Sequence, residues 1–222
     1  MYSRTGRRGE MFTLVHSPLV GPLTWGPVAD RLDAAVPSLV DLKPPYWRSV
    51  AEKVAAAITE PAILVVHSNA GLFVPVIAEA APVAGCLIVD GRLPGHTGRM
   101  HDFLRPMVRG DGLLPPWTEW WGEAEMAPLF PDEETRAAVS AELPRLPIGY
   151  FEEQIPVPPG WNTKPCGYLR FSEAYVTEAE EAARRGWAVE HLPGLHLHQL
   201  VDPDAVAERI VAMTRSWAVG HP

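Results

Sequence analysis

Apolar residues in this chain fall into two alternating rhythms. Short dense runs occupy 12–15, 38–42, 62–66, 85–89, 166–171 and 187–192. Each is short for a helix and has the length and composition of a buried strand. Helical spacing appears between them. Residues 25–34 read as a helix, and Trp47, Val50, Val54 and Ile58 are spaced 3, 4 and 4, on one helical face. Residues 72–81 are apolar nearly all round, as in a helix at the centre of a domain. Residues 173–185 read as a helix ended by Gly186. A closing helix starts with Asp202 as N-cap and Pro203 in its first turn, and buries Val206, Ile210, Met213 and Trp217. The alternation predicts an α/β fold, a mostly parallel sheet with helices on both faces.

The rhythm breaks between Arg92 and Gly160, which hold eleven of the 24 prolines and the cluster Trp117, Trp120, Trp121. Three tryptophans are costly to leave wet, so this stretch is expected to pack over something. It reads as an insertion, dividing a core of residues 11–91 and 161–218. Residues 1–10 carry three arginines and no hydrophobic signal core. They read as a disordered tail, or as the product of a start codon upstream of a true start at Met11.

Ala62-Ile63-Leu64-Val65-Val66 runs into His67-Ser68-Asn69-Ala70-Gly71, with the helical segment following. A strand, a sharp turn exposing one serine and a helix make the layout of a nucleophile elbow. The tight turn favours small residues two before and two after the serine. Ala70 fits and Val66 departs from the usual glycine.

Composition narrows the partners. A formal charge of −8 disfavours nucleic acid and anionic membrane, and no run of about 18 apolar residues marks a membrane span. Cys86 and Cys166 both lie in strand-like runs; two unpaired buried thiols suit a reducing cytoplasm and have no metal-site spacing. There is no phosphate loop, metal motif or dinucleotide fingerprint, so no cofactor is implied. The oligomeric state stays open, a homodimer included.

In such a sheet, functional residues collect beyond the carboxyl ends of the strands. Ser68, Asp90 and His196 stand there in that order. With the His16-Ser17 loop, Trp25, the elbow, Val89-Asp90-Gly91-Arg92-Leu93-Pro94 and Pro193-Gly194-Leu195-His196, the chain resembles a small member of the α/β-hydrolase superfamily over residues 11–218. The resemblance implies a cap over 92–160 and a serine hydrolase, esterase or thioesterase-like, acting on a small hydrophobic or aromatic ester. Ser68 is then the nucleophile and His196 its base, with His198 as competitor. Two carboxylates are candidates for the acid: Asp90 after the strand that follows the elbow, or Glu173 after the strand that follows the cap. The oxyanion hole needs two N–H donors. Asn69 supplies one. The position expected for the second is Pro18, which has no N–H, so either Leu19 takes over through a shifted loop or the chemistry is not ordinary ester hydrolysis. That departure motivates the alternative, a cofactor-independent lyase, isomerase or cyclase on the same fold. His16, Pro18, Trp117, Trp120 and Trp121 are expected around an apolar pocket.

Overall fold

The computed structural model describes residues 11–95 and 100–217; the segments 1–10 and 96–99 lie outside the described residues. Five strands form one all-parallel sheet in sequential order: β1 (Phe12–Val15), β2 (Ala62–His67), β3 (Val83–Val89), β4 (Cys166–Arg170) and β5 (Ala188–His191). Because side chains alternate along a strand, neighbouring residues enter different cores. Leu64, Val66, Cys86 and Ile88 face one side, and Ile63, Val65, Leu87 and Val89 the other. The helices α1 (Gly26–Leu32), α2 (Tyr46–Ala55) and α3 (Val74–Ala80) come from the first half of the chain. Trp25, Val28 and Ala29 bury with the second set, while α2 and α3 cover the first.

Between β3 and β4 lie α4 (Met100–Leu104), α5 (Glu123–Met126), α6 (Glu133–Ala141) and α7 (Gly149–Glu152), with 3-10 turns between them. Asp132 caps α6 by accepting the Thr135 N–H at 2.7 Å. Two carboxylates tie this stretch to the rest of the chain. Glu153 accepts the N–H groups of Tyr46 and Trp47, both at 2.8 Å, satisfying orphan donors at the start of α2. Glu142 accepts the Leu23 N–H at 2.8 Å. After β4 come α8 (Val176–Arg184), α9 (His198–Val201) and α10 (Pro203–Thr214). Asp202 caps α10 by accepting the Ala205 N–H at 3.0 Å, and Val206, Ile210 and Met213 are buried with α1.

One expected strand does not form. Residues 38–42 are a loop, although Leu39 and Leu42 are buried. The edge of β1 is already paired at Ala35, which accepts from the Leu14 N–H at 2.8 Å and donates to the Phe12 carbonyl at 3.2 Å. Pro37 follows, and the Leu39 N–H is given to a side chain, His16 Nε2, at 2.9 Å. Cys86 and Cys166 are register partners on β3 and β4, both free and buried.

Candidate active site

Ser68 follows β2 with φ of +58°, in the left-handed region. A non-glycine residue held there stores about 1–3 kcal/mol of strain and persists only when its surroundings over-determine it. Here two glycines let the neighbouring turn close on the elbow. A Cβ on Gly91 would stand 2.6 Å from the Ser68 carbonyl oxygen, and one on Gly71 would stand 2.1 Å from that of Arg92. The Arg92 N–H donates to the Ser68 carbonyl at 3.1 Å, fastening the turn after β3 to the elbow. Gly71→Ala should therefore cost about 3 kcal/mol, the upper end for overpacking a core, measured as a shift in denaturation midpoint at unchanged slope.

Asp90 sits at the end of β3, fully buried, with φ of +39°. Its Oδ1 accepts the N–H groups of Phe171 and Ser172, both at 2.9 Å. Its Oδ2 accepts the Ser172 hydroxyl at 2.8 Å and the Nδ1–H of His196 at 2.7 Å. Burial pushes the carboxyl up, but the bonds from His196, Ser172 and Phe171 outweigh it and hold Asp90 below the ordinary carboxylate range. The Tyr168 hydroxyl, donating to the Gly91 carbonyl at 2.7 Å and accepting its N–H at 3.0 Å, braces the same turn.

His196 Nε2 lies 3.0 Å from Ser68 Oγ. With Nδ1–H committed to Asp90, the neutral imidazole presents Nε2 as an acceptor for the serine proton. Tyr175 stacks on this imidazole, centroids 5.1 Å apart and planes 14° apart, and its hydroxyl interacts with the Ser68 side chain. His67 donates from Nε2 to the His196 carbonyl at 2.8 Å, and the two rings lie 4.6 Å apart.

Glu173 is elsewhere: it pairs with Arg170 at 2.7 Å, its side chain 84% exposed. His198 packs edge-on against Phe171, centroids 5.5 Å apart. The cavity beside Ser68 and His196 is bordered by Ser17, Leu19, Val20, Trp117 and Leu197, and offers about 10 Å³ to the centre of a water molecule, room for about one water. Of the expected pocket residues, Trp117 borders it; His16, Pro18, Trp120 and Trp121 do not. Trp120 is buried and donates to the Pro115 carbonyl at 2.9 Å, and Trp121 is 42% exposed. The Leu19 N–H is directed at Ser17 Oγ, 3.2 Å away. Asn69, in the first turn after His67, has an N–H with no helical partner. Ser17, Ser172 and Tyr175 are site neighbours that sequence pattern did not single out. Lone hydroxyls have no periodicity, and only their spacing from Pro18 and β4 could have drawn attention to them.

Two other histidines are built into the support. His16 is fully buried, donating from Nδ1 to the Ser17 carbonyl at 2.8 Å and accepting at Nε2 from Leu39. Burial lowers its pKa from 6.5 to about 4; burial and the nearby His196 lower that of His67 from 6.5 to about 3. Both stay neutral in the folded chain while the unfolded chain protonates below 6.5, so the unfolded state binds more protons in that interval. Stability should thus fall as pH drops from about 6.5 toward 4, by as much as roughly 2.7 kcal/mol per pH unit for two protons. Asp90, with its lowered pKa, adds a further loss below the ordinary carboxylate range. Denaturant melts across this interval measure the slope.

The parallel sheet, the turn after β2 and the ordered Ser68, Asp90 and His196 are features of one protein class. The chain belongs to the α/β-hydrolase family, whose model matches residues 1–209. No curated protein sequence matches it. Solved structures with the same fold include tomato methylketone synthase I complexed with 2-tridecanone (15% identity, TM-score 0.70, covering 95% of this chain and 100% of that one). A methylesterase from Arabidopsis is similar at 15% identity and TM-score 0.68, covering 93% and 99%. The pyrethroid hydrolase PytH is similar at 18% identity and TM-score 0.65, covering 94% and 98%. At these identities the likeness is one of fold.

Proposed function

We propose that the protein is a serine hydrolase cleaving a small apolar ester or thioester through Ser68, His196 and Asp90. The observation that carries this reading is the unbroken line of hydrogen bonds from Ser68 Oγ to His196 Nε2 and from His196 Nδ1 to Asp90 Oδ2, at 3.0 and 2.7 Å. A serine hydroxyl is a weak nucleophile until a base takes its proton during attack. In this reading His196 takes that proton, and the buried carboxylate of Asp90 fixes its tautomer and stabilises the imidazolium that forms. The proton then passes to the leaving group, and water repeats the sequence on the acyl-enzyme. Leu19, Val20, Trp117 and Leu197 favour an apolar substituent beside the serine. Residues 92–160, which bring Trp117 there, act as the cap. No described helix is long and apolar enough to cross a membrane.

A second reading is favoured by one feature, the proline at position 18. A cofactor-independent lyase, isomerase or cyclase would use His196 as acid and base and Ser68 only to position substrate. Short-chain aryl esters and thioesters separate the two. Hydrolysis through an acyl-enzyme gives a burst of alcohol or thiol stoichiometric with enzyme, followed by slower turnover. Absence of any hydrolysis across the panel by folded protein would remove the first reading.

A further inference from the structure

Position 18 has no N–H, but the same loop carries a serine that borders the cavity. Ser17 is 1% exposed and borders the cavity shared with Ser68. Three bonds hold it: its Oγ accepts the Leu19 N–H at 3.2 Å, and its carbonyl accepts the Val20 N–H at 3.0 Å and His16 Nδ1–H at 2.8 Å. The residue before a proline is confined to extended backbone, so the side chain hangs from a stiff support. Among the described residues its hydroxyl proton has no acceptor. An acceptor arriving in the cavity with the substrate would take up that proton.

We propose that the Ser17 hydroxyl is an oxyanion donor that replaces the missing N–H of residue 18 and works beside the Asn69 N–H. This rests on the reading of Ser68 as an acyl-transfer nucleophile. As the bond from Ser68 Oγ to the substrate carbonyl carbon forms, the serine proton moves to His196 Nε2 and the C=O π pair moves onto oxygen. The Asn69 N–H and Ser17 O–H bind that negative charge. When the pair returns to rebuild the carbonyl, the bond to the leaving group breaks and His196 supplies its proton. The Leu19 N–H, which in the expected arrangement would face the substrate directly, donates instead to Ser17 Oγ and so polarises the hydroxyl. The loop therefore passes its donor capacity through one side chain. Ser17 would be a catalytic residue, touching the substrate oxygen only as its charge develops.

The test compares Ser17→Ala, Ser17→Thr and Ser17→Val on a short-chain aryl ester, with phenylboronic acid as a tetrahedral mimic. Thr and Val differ only by hydroxyl against methyl, so the pair separates donation from packing even where Ala disturbs the loop. Ala and Val should lower kcat by about 100- to 1000-fold with KM little changed, and weaken the boronic acid in parallel. Thr should keep most of the activity and the inhibitor affinity. Equal activity of Thr and Val, or an undiminished kcat in Ala, would overturn the assignment while a labelled Ser68 left the hydrolase reading standing. Wild-type protein that neither hydrolyses esters nor takes a fluorophosphonate at Ser68 would overturn both.

Discussion

Ser68→Ala should lower kcat for ester hydrolysis by about 10⁶-fold, and His196→Ala by a similar factor, because a nucleophile and its base act as one unit and losing either removes the covalent route. The double variant should then be little worse than either single one. The same pair discriminates the two chemistries. If Ser68 only positions substrate, Ser68→Ala keeps partial turnover and His196→Ala does not. Neither substitution needs to unfold the chain. Ser68 is held by the backbone bond from Arg92 and the packing of Gly91 against it, and alanine keeps the same Cβ. Steady-state rates with the thermal midpoint as a folding control measure the effect.

Asp90→Asn should lower kcat by about 10⁴-fold, the cost of presenting the wrong imidazole tautomer to the nucleophile. Four donors converge on this carboxylate, from Phe171, Ser172 twice and His196. An amide offers one acceptor oxygen and sets N–H against donors, so a stability loss of about 1–3 kcal/mol should accompany the rate loss. Glu173→Gln provides the control. Its exposed carboxylate pairs with Arg170, an interaction that water and salt screen, and activity should not change. A collapse of activity in the Glu173 variant with Asp90→Asn near wild type would reverse the assignment of the acid.

The α/β fold was legible because strand and helix periods differ and each run is bounded by its own punctuation. Where sequence reading overran, the reason is local. Residues 38–42 carry strand-like side chains, but Ala35 pairs with β1 first and His16 takes the Leu39 N–H, leaving the segment buried without a ladder. At the site, the elbow layout, the order of the strand ends and the family resemblance together brought Ser68, Asp90 and His196 under notice, since a fold that places strand ends together makes order informative. Sequence could not choose between Asp90 and Glu173. What separates the two carboxylates in space is His196 Nδ1, 2.7 Å from Asp90 Oδ2, while Glu173 pairs with Arg170. Nor could it read the fate of a single N–H. The Leu19 N–H, a free donor as far as sequence goes, is given to Ser17 Oγ. The tryptophan cluster shows the same limit, because burial could be anticipated but not which ring would border the cavity. Trp117 does, with its ring centroid 6.1 Å from that of His196.

The most direct measurement is covalent labelling of the intact protein with a fluorophosphonate, followed by peptide mass spectrometry. One adduct should form, on the peptide and residue of Ser68, at a rate that falls sharply in His196→Ala and Asp90→Asn. A folded wild-type protein that stays unlabelled, or an adduct on any other residue, would contradict the account.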